Sequence, residues 1–441
     1  MPIEESAAPY KNWNERIHAE CYRPNAELGN FQQIGFNIGP TLFNWMAGYD
    51  PQTCARIVAQ DRANLERHQA GNAIAQAYNH TILPLGSLQD KLTQVYWGIA
   101  DFKHRFNRPP QGMWLPETAV DYETLEVLTR LGIQFAILAP WQASQADIDP
   151  GQPYQVELPA GRQITAFFYH SELSAQVSFD AQATVNADRF AQSILIPAFK
   201  NTPPGRDEPQ YLLIASDGEL YGHHQPLRQY FLAHLLNGAS ASLGLQPIYP
   251  AQWLKKHPAR QRMAIQERTS WSCHHGVARW VGECPCTPGN GEWKFWLRYA
   301  FDRLAADLDH LYLDSTRPLF KDPWLLRNQY IHVLLGELSL ETLFSEHAQR
   351  SLTTEESLRV SLLLEAQRER QRMFTSCGWF FEDFDRIEPR NNVAYAAQSV
   401  RLARQATGID LAPQTARDLG RVLSQRVKLS AETVFQQAMR E

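Results

Sequence analysis

Short apolar runs alternate with amphipathic stretches over the first 270 or so residues. Runs at 34–38, 72–79, 112–115, 134–138, 164–169 and 211–216 stop at Gly, Pro or a polar residue, which predicts buried strands. Between them, spacings near 3.6 predict helices over 12–21, 90–106, 121–131, 187–199 and 225–243. Asp50-Pro51 opens a further helix to about Gln69, since Asp caps well and Pro is tolerated at the first helical position, with Gly71 closing it. A polar Pro/Gly loop is expected over 201–209, before the run that stops at Asp217. The pattern changes after Glu267: 269–291 is rich in Trp, Cys, His and Gly and reads as a long irregular loop, and from Glu292 onward the spacing is almost wholly helical. There Thr353 and Glu356 fit a capping box, with Leu358, Leu362, Ala366 and Met373 marking one face and Arg368, Arg370 and Arg372 the solvated side.

Alternation of this kind favours an α/β class with parallel strands joined by crossovers, in a closed barrel or a doubly wound sheet. No strand-to-helix opening carries a G-x-G-x-x-G or G-x-x-x-x-G-K-[ST] fingerprint, so a dinucleotide or triphosphate has no motif behind it. Composition changes this picture little. At 441 residues, 44% hydrophobic and 20% charged, the chain is of globular type, and a net charge of −5 argues against a nucleic-acid partner. No apolar run reaches membrane-spanning length, and six irregularly spaced Cys behind an acidic, non-apolar start suggest reduced thiols in a cytoplasm.

Two acids carry the candidate chemistry. Trp114-Leu115-Pro116-Glu117 places a carboxylate where a strand gives way to a helix, and Ser216-Asp217-Gly218-Glu219-Leu220-Tyr221-Gly222-His223-His224 repeats the arrangement 100 residues on. In α/β folds that end of a strand is where catalytic groups sit, and two carboxylates are the minimum for glycosidic bond chemistry. Taken alone, Glu117 is equally an acid favoured at a helix N-terminus, and Asp217 an ordinary cap.

Together with Gly71-Asn72-Ala73-Ile74-Ala75-Gln76-Ala77-Tyr78-Asn79-His80, the two stretches resemble, in order and spacing, motifs of glycoside hydrolase family 57, in its branch with a long helical C-terminal region. The resemblance implies an incomplete (β/α)7-type barrel over 1–268, a Cys/His/Trp-rich loop over 269–291 and a helical domain over 292–441 that closes the cleft. It implies a retaining hydrolase or 4-α-glucanotransferase acting on an α-glucan or oligosaccharide, with no metal or organic cofactor. Glu117 is the implied nucleophile and Asp217 the general acid/base, in environments that separate their pKa values. Implied substrate contacts are His80, Trp114, Glu219, which also rivals Asp217 as the acid, and His223 and His224. Ser376-Cys377-Gly378-Trp379 resembles a stretch that members send into the cleft, which makes Trp379 a stacking platform or else a core residue.

Two rival functions remain. The chain begins just after the point where the family carries a His-Gln-Pro-like motif, so the first strand is expected to be missing, which fits a degenerate carbohydrate-binding relative. A metal-dependent polysaccharide deacetylase needs an Asp/His/His set, for which Asp217, His170, His223 and His224 are the nearest candidates. Cys273-His274-His275 and Cys284-Pro285-Cys286 read as packed thiols, a redox pair or a metal site, with no matched C-x-x-C pairs to favour the metal.

Overall fold

The computed structural model describes residues 4–200 and 209–440. The loop expected over 201–209 therefore lies, except for its last residue, outside the described residues. Contacts divide the chain into two compact units: the first comprises 1–76, 105–114 and 128–266, the second 77–104, 115–127 and 267–441.

The first unit holds a six-stranded sheet built from β1 (Ala75–Gln76), β2 (Gly112–Trp114), β3 (Phe135–Leu138), β4 (Tyr154–Glu157), β5 (Gln163–Phe168) and β6 (Gln261–Arg262), in the order β1-β2-β3-β5-β4-β6. β1, β2, β3 and β5 run parallel, as the alternating pattern requires, while β4 pairs antiparallel to β5. β3 reads Phe-Ala-Ile-Leu with all four residues buried, the continuous apolar run of a strand covered on both faces. The α/β class thus holds, with a mostly parallel sheet followed by helices.

Several strands are shorter than the sequence suggests. The run at 34–38 contributes a single bridge, Phe36 to Ala73. Tyr211–Ser216 forms no strand at all. β5 already pairs with β3 on one edge and β4 on the other, and this apolar run bonds instead just past β5, where His170 N–H donates to the Leu213 carbonyl (2.7 Å). Local signals fared better. Asp50 caps helix Pro51–His68 by accepting from Thr53 N–H, although the left-handed residue that ends the helix is Gln69 (φ 52°), not Gly71. The capping box of Thr353 and Glu356 forms on helix Thr354–Arg372.

The second unit is helical, apart from the irregular loop expected over 269–291, which carries only the short turn Ala278–Trp280. Helix Glu292–Thr316 packs Leu297, Phe301, Leu304 and Leu308 into a core shared with Val393, Val400 and Trp379. Two expectations fail here. Arg370 is buried, its guanidinium bound to Asp90 (2.8 and 3.1 Å) and Asp309 (2.7 Å), with Arg327 also against Asp90 (3.3 Å). Alternation on a helix surface cannot distinguish a solvated arginine from one whose carboxylate partners come from distant segments. Leu358, placed on the apolar face by its spacing, is 60% exposed.

Candidate active site

Glu117 and Asp217 stand on different units, each in its own framework of hydrogen bonds.

Glu117 follows β2 in the tight turn Pro116–Thr118, where Glu117 and Thr118 are both left-handed (φ 57° and 50°). Non-glycine residues adopt that region only when their surroundings hold them there. Here the Trp271 N–H donates to the Glu117 carbonyl (3.0 Å), and the Thr118 amide donates to the Leu115 carbonyl (2.8 Å). The side chain is half-buried, and two donors converge on one oxygen: Trp271 Nε1 (3.1 Å) and Ser272 Oγ (2.6 Å) both reach Oε2. Just downstream, Asp121 caps helix Tyr122–Arg130 through the Thr124 amide (2.7 Å) and takes a charged bond from buried Lys91 (2.7 Å), which also reaches Glu123 (2.7 Å).

His80 belongs to the same unit. Its Nδ1 shares a hydrogen bond with Ser376 Oγ (2.6 Å), and its carbonyl accepts from the Ser376 amide (3.0 Å), beside a bridge between Thr81 and Thr375. Cys377 comes next. Its side chain is exposed, yet the protein around it and then the charge of Glu117 push its thiol up. Of the 376–379 stretch, Ser376 bonds His80 and Cys377 feels the charge of Glu117. Trp379 is 1% exposed, stacks on Phe374, and gives its N–H to the Lys294 carbonyl (3.2 Å). A ring with no open face cannot stack on a sugar, so its core reading stands. Trp114, the last residue of β2, is half-buried.

Asp217 is exposed and precedes the turn Gly218–Leu220. Its surroundings come from the helical run Trp13–Glu27, predicted only as far as Cys21 and π-helical over His18–Tyr22. A π stretch widens the helix and re-aims its side chains, often at functional sites. Three residues of this one reach the segment 218–223 that follows Asp217. Tyr22 OH donates to Glu219 (2.6 Å), Cys21 Sγ to the Gly218 carbonyl (3.3 Å), and Glu20 meets His223 Nδ1 (2.5 Å). Burial, then the Glu219 charge, pushes the Tyr22 hydroxyl well above its usual range, so it remains a donor. Gly222 (φ 132°) allows the closest approach, since a Cβ there would lie 2.1 Å from the Glu20 carbonyl oxygen. His223 is thus held by Glu20 and faces Trp13 edge-on, whereas His224 is exposed. Crowding by protein, then His223, lowers the His224 imidazole below 6.5.

Residues 29–266 match glycosyl hydrolase family 57, more than half the chain. The chain belongs to glycosyl hydrolase family 57. Residues 290–441 match a domain of unknown function, DUF3536. No curated protein matches. Among solved structures, the family 57 chain is similar to an exo-type maltose-forming amylase from Pyrococcus sp. ST04 (15% identity, TM-score 0.74, covering 97% of this chain and 80% of that one). It is also similar to a family 57 branching enzyme from Thermococcus kodakaraensis (13%, 0.63, 100% and 92%) and to the α-amylase AmyC of Thermotoga maritima (12%, 0.60, 100% and 97%). At such identities the likeness is one of fold.

The supports of both acids escaped the sequence reading. Trp271 and Ser272 lie in the Cys/His/Trp-rich loop just before its Cys and His cluster, and Glu20 and Tyr22 sit in a helix with no motif. Among the described residues, the His, Cys, Asp and Glu side chains that converge tightly enough to hold a metal are Cys273, His275, Cys284 and Cys286. Asp217, His170, His223 and His224 do not gather in that way, which leaves a deacetylase without its constellation. No helix of the described residues is long and apolar enough to cross a membrane.

Proposed function

We propose that this family 57 protein is a retaining α-glucan-active hydrolase or glucanotransferase, with Glu117 as nucleophile and Asp217 as general acid/base. The observation that carries the reading is the clamp on Glu117. Both donors go to Oε2, so the carboxylate is oriented while Oε1 accepts from neither, as a group that must attack a carbon requires. In this reading Oε1 attacks the anomeric carbon, the glycosidic bond breaks, and Asp217 protonates the departing oxygen. Asp217 then removes a proton from water or from an acceptor hydroxyl as the glycosyl ester is cleaved. His80, Glu219, His223 and His224 contact sugar hydroxyls or fix Asp217. The match to the family and the fold shared with amylases and branching enzymes support an α-linked glucan as substrate.

The test is incubation with α-1,4-glucan oligomers, wild type beside Glu117→Gln, with products separated by size. Shorter products alone indicate hydrolysis, and longer ones transfer. Identical product traces for the two proteins would remove the assignment. Sugar-dependent quenching of tryptophan fluorescence with no product from either protein would make the chain a carbohydrate binder.

A further inference from the structure

The loop that supplies Trp271 and Ser272 to Glu117 continues directly into Cys273, and this loop lacks regular structure. Its polar side chains are not scattered. Cys273, His275, Cys284 and Cys286 bring their ligand atoms within 4.8 Å of one another. Cys273 and Cys284 sulfurs are 3.4 Å apart, and His275 Nδ1 is 3.4 Å from Cys284 Sγ and 3.3 Å from Cys286 Sγ. Gly276 makes the turn possible: its φ is 75°, and a Cβ there would meet the Arg268 carbonyl oxygen at 2.4 Å. Ser270 Oγ ties the Gly276 carbonyl down (2.8 Å).

We propose that Cys273, His275, Cys284 and Cys286 form a structural zinc site that holds the 271–286 loop, and with it the Trp271–Ser272 clamp on Glu117. Three sulfurs and one imidazole nitrogen are a complete tetrahedral zinc set with no position left for water, which marks a structural site. Ligands about 2.3 Å from a tetrahedral zinc stand roughly 3.5–3.8 Å apart, close to the spacings here. A Cys273–Cys284 disulfide needs sulfurs at about 2.05 Å and would leave Cys286 and His275 without a role.

Charge provides an independent argument. Lys294 is fully buried, and its ammonium bonds Thr287 Oγ1 (3.2 Å) over the Trp293 ring. Burial and then the Arg279 charge disfavour the ammonium and bring it down to about 8, while Cys284, Cys273 and Glu382 favour it. A buried cation with a neutral partner is costly unless an anion lies close. Three thiolates and one Zn²⁺ sum to −3 + 2 = −1, counter-charge that adds to that of Glu382 beside the cations Lys294 and Arg279. Neutral thiols do not supply it.

The full chain, purified without chelator, is expected to carry about one zinc by elemental analysis. After chelation, cobalt should give visible d–d bands and near-ultraviolet thiolate charge-transfer absorption. Cys284→Ser and Cys286→Ser should lower zinc content at least about tenfold, with Cys54→Ser as the neutral control. Chelation should raise amide exchange across 269–291. These readouts do not depend on whether Glu117 is the nucleophile. Cobalt remaining in its aqueous spectrum with wild-type protein, zinc below about a tenth per chain, or a Cys273–Cys284 disulfide by mass would each overturn the site; the cobalt result stands even if the variants fail to fold.

Discussion

Glu117 and Asp217 are the same chemistry in opposite settings. Glu117 is half-buried on a left-handed turn, and its carboxylate is gripped directly by an indole and a hydroxyl. Asp217 is exposed on a backbone of ordinary conformation, and the bonds traced from the π-helical stretch reach its neighbours Gly218, Glu219 and His223. The contrast suits the two tasks that the proposed mechanism assigns. A nucleophile must be aimed at one carbon, whereas an acid/base gives up and retakes a proton and has to stay open to water or an acceptor.

The contrast can be broken at several points. Glu117→Gln keeps the clamp's shape and removes the attacking oxygen, so kcat should fall by about a thousandfold or more with unfolding unchanged. Asp217→Asn should lose about 10²–10⁴-fold on glucan, but much less on a glycoside whose leaving group needs no proton, measured with an activated aryl substrate. Lys91→Met strips the buried partner from Asp121, and about 3–5 kcal/mol of stability should go with it in urea unfolding. Ser272→Ala removes one bond to a charged oxygen. A loss of about 1.5–3 kcal/mol is expected to appear in kcat rather than KM.

The smallest effect is in pH and lies on the Asp217 side. His170 caps helix Ser171–Phe179 with Nδ1 as acceptor (3.4 Å), and its amide holds Leu213 on the way to Asp217. Burial lowers its imidazole below 6.5, against the pull of Glu172. The unfolded chain therefore takes the proton first, and the stability held above 6.5 is lost as pH falls through the lowered value. His170→Asn, an equal cap that does not titrate, should flatten the slope of stability against pH between about 7.5 and 5.5.

What the sequence disclosed follows from how far each signal reaches. Asp50 and the Thr353–Glu356 box act on backbone three residues away, and both appear as read. The parallel strands were legible as apolar runs, but the fate of 211–216 was not, because it depends on whether β5 still has an open edge. Arg370 reads as a surface residue until Asp90 and Asp309 are brought to it. The two acids stood out through their motifs, while their supports lie more than 150 residues away in the chain: Trp271 and Ser272 for Glu117, Tyr22 and Glu20 for the turn after Asp217.

Consecutive left-handed residues at Glu117 and Thr118 set a direction for laboratory evolution. Each side chain in that region loses roughly 1–2 kcal/mol that glycine would not. Glu117→Gly would relax the turn and discard the carboxylate in a single step. The same change would strand the Trp271 and Ser272 donors, so the strain relieved and the bonds lost oppose each other, and a campaign for heat tolerance must screen for turnover in every round.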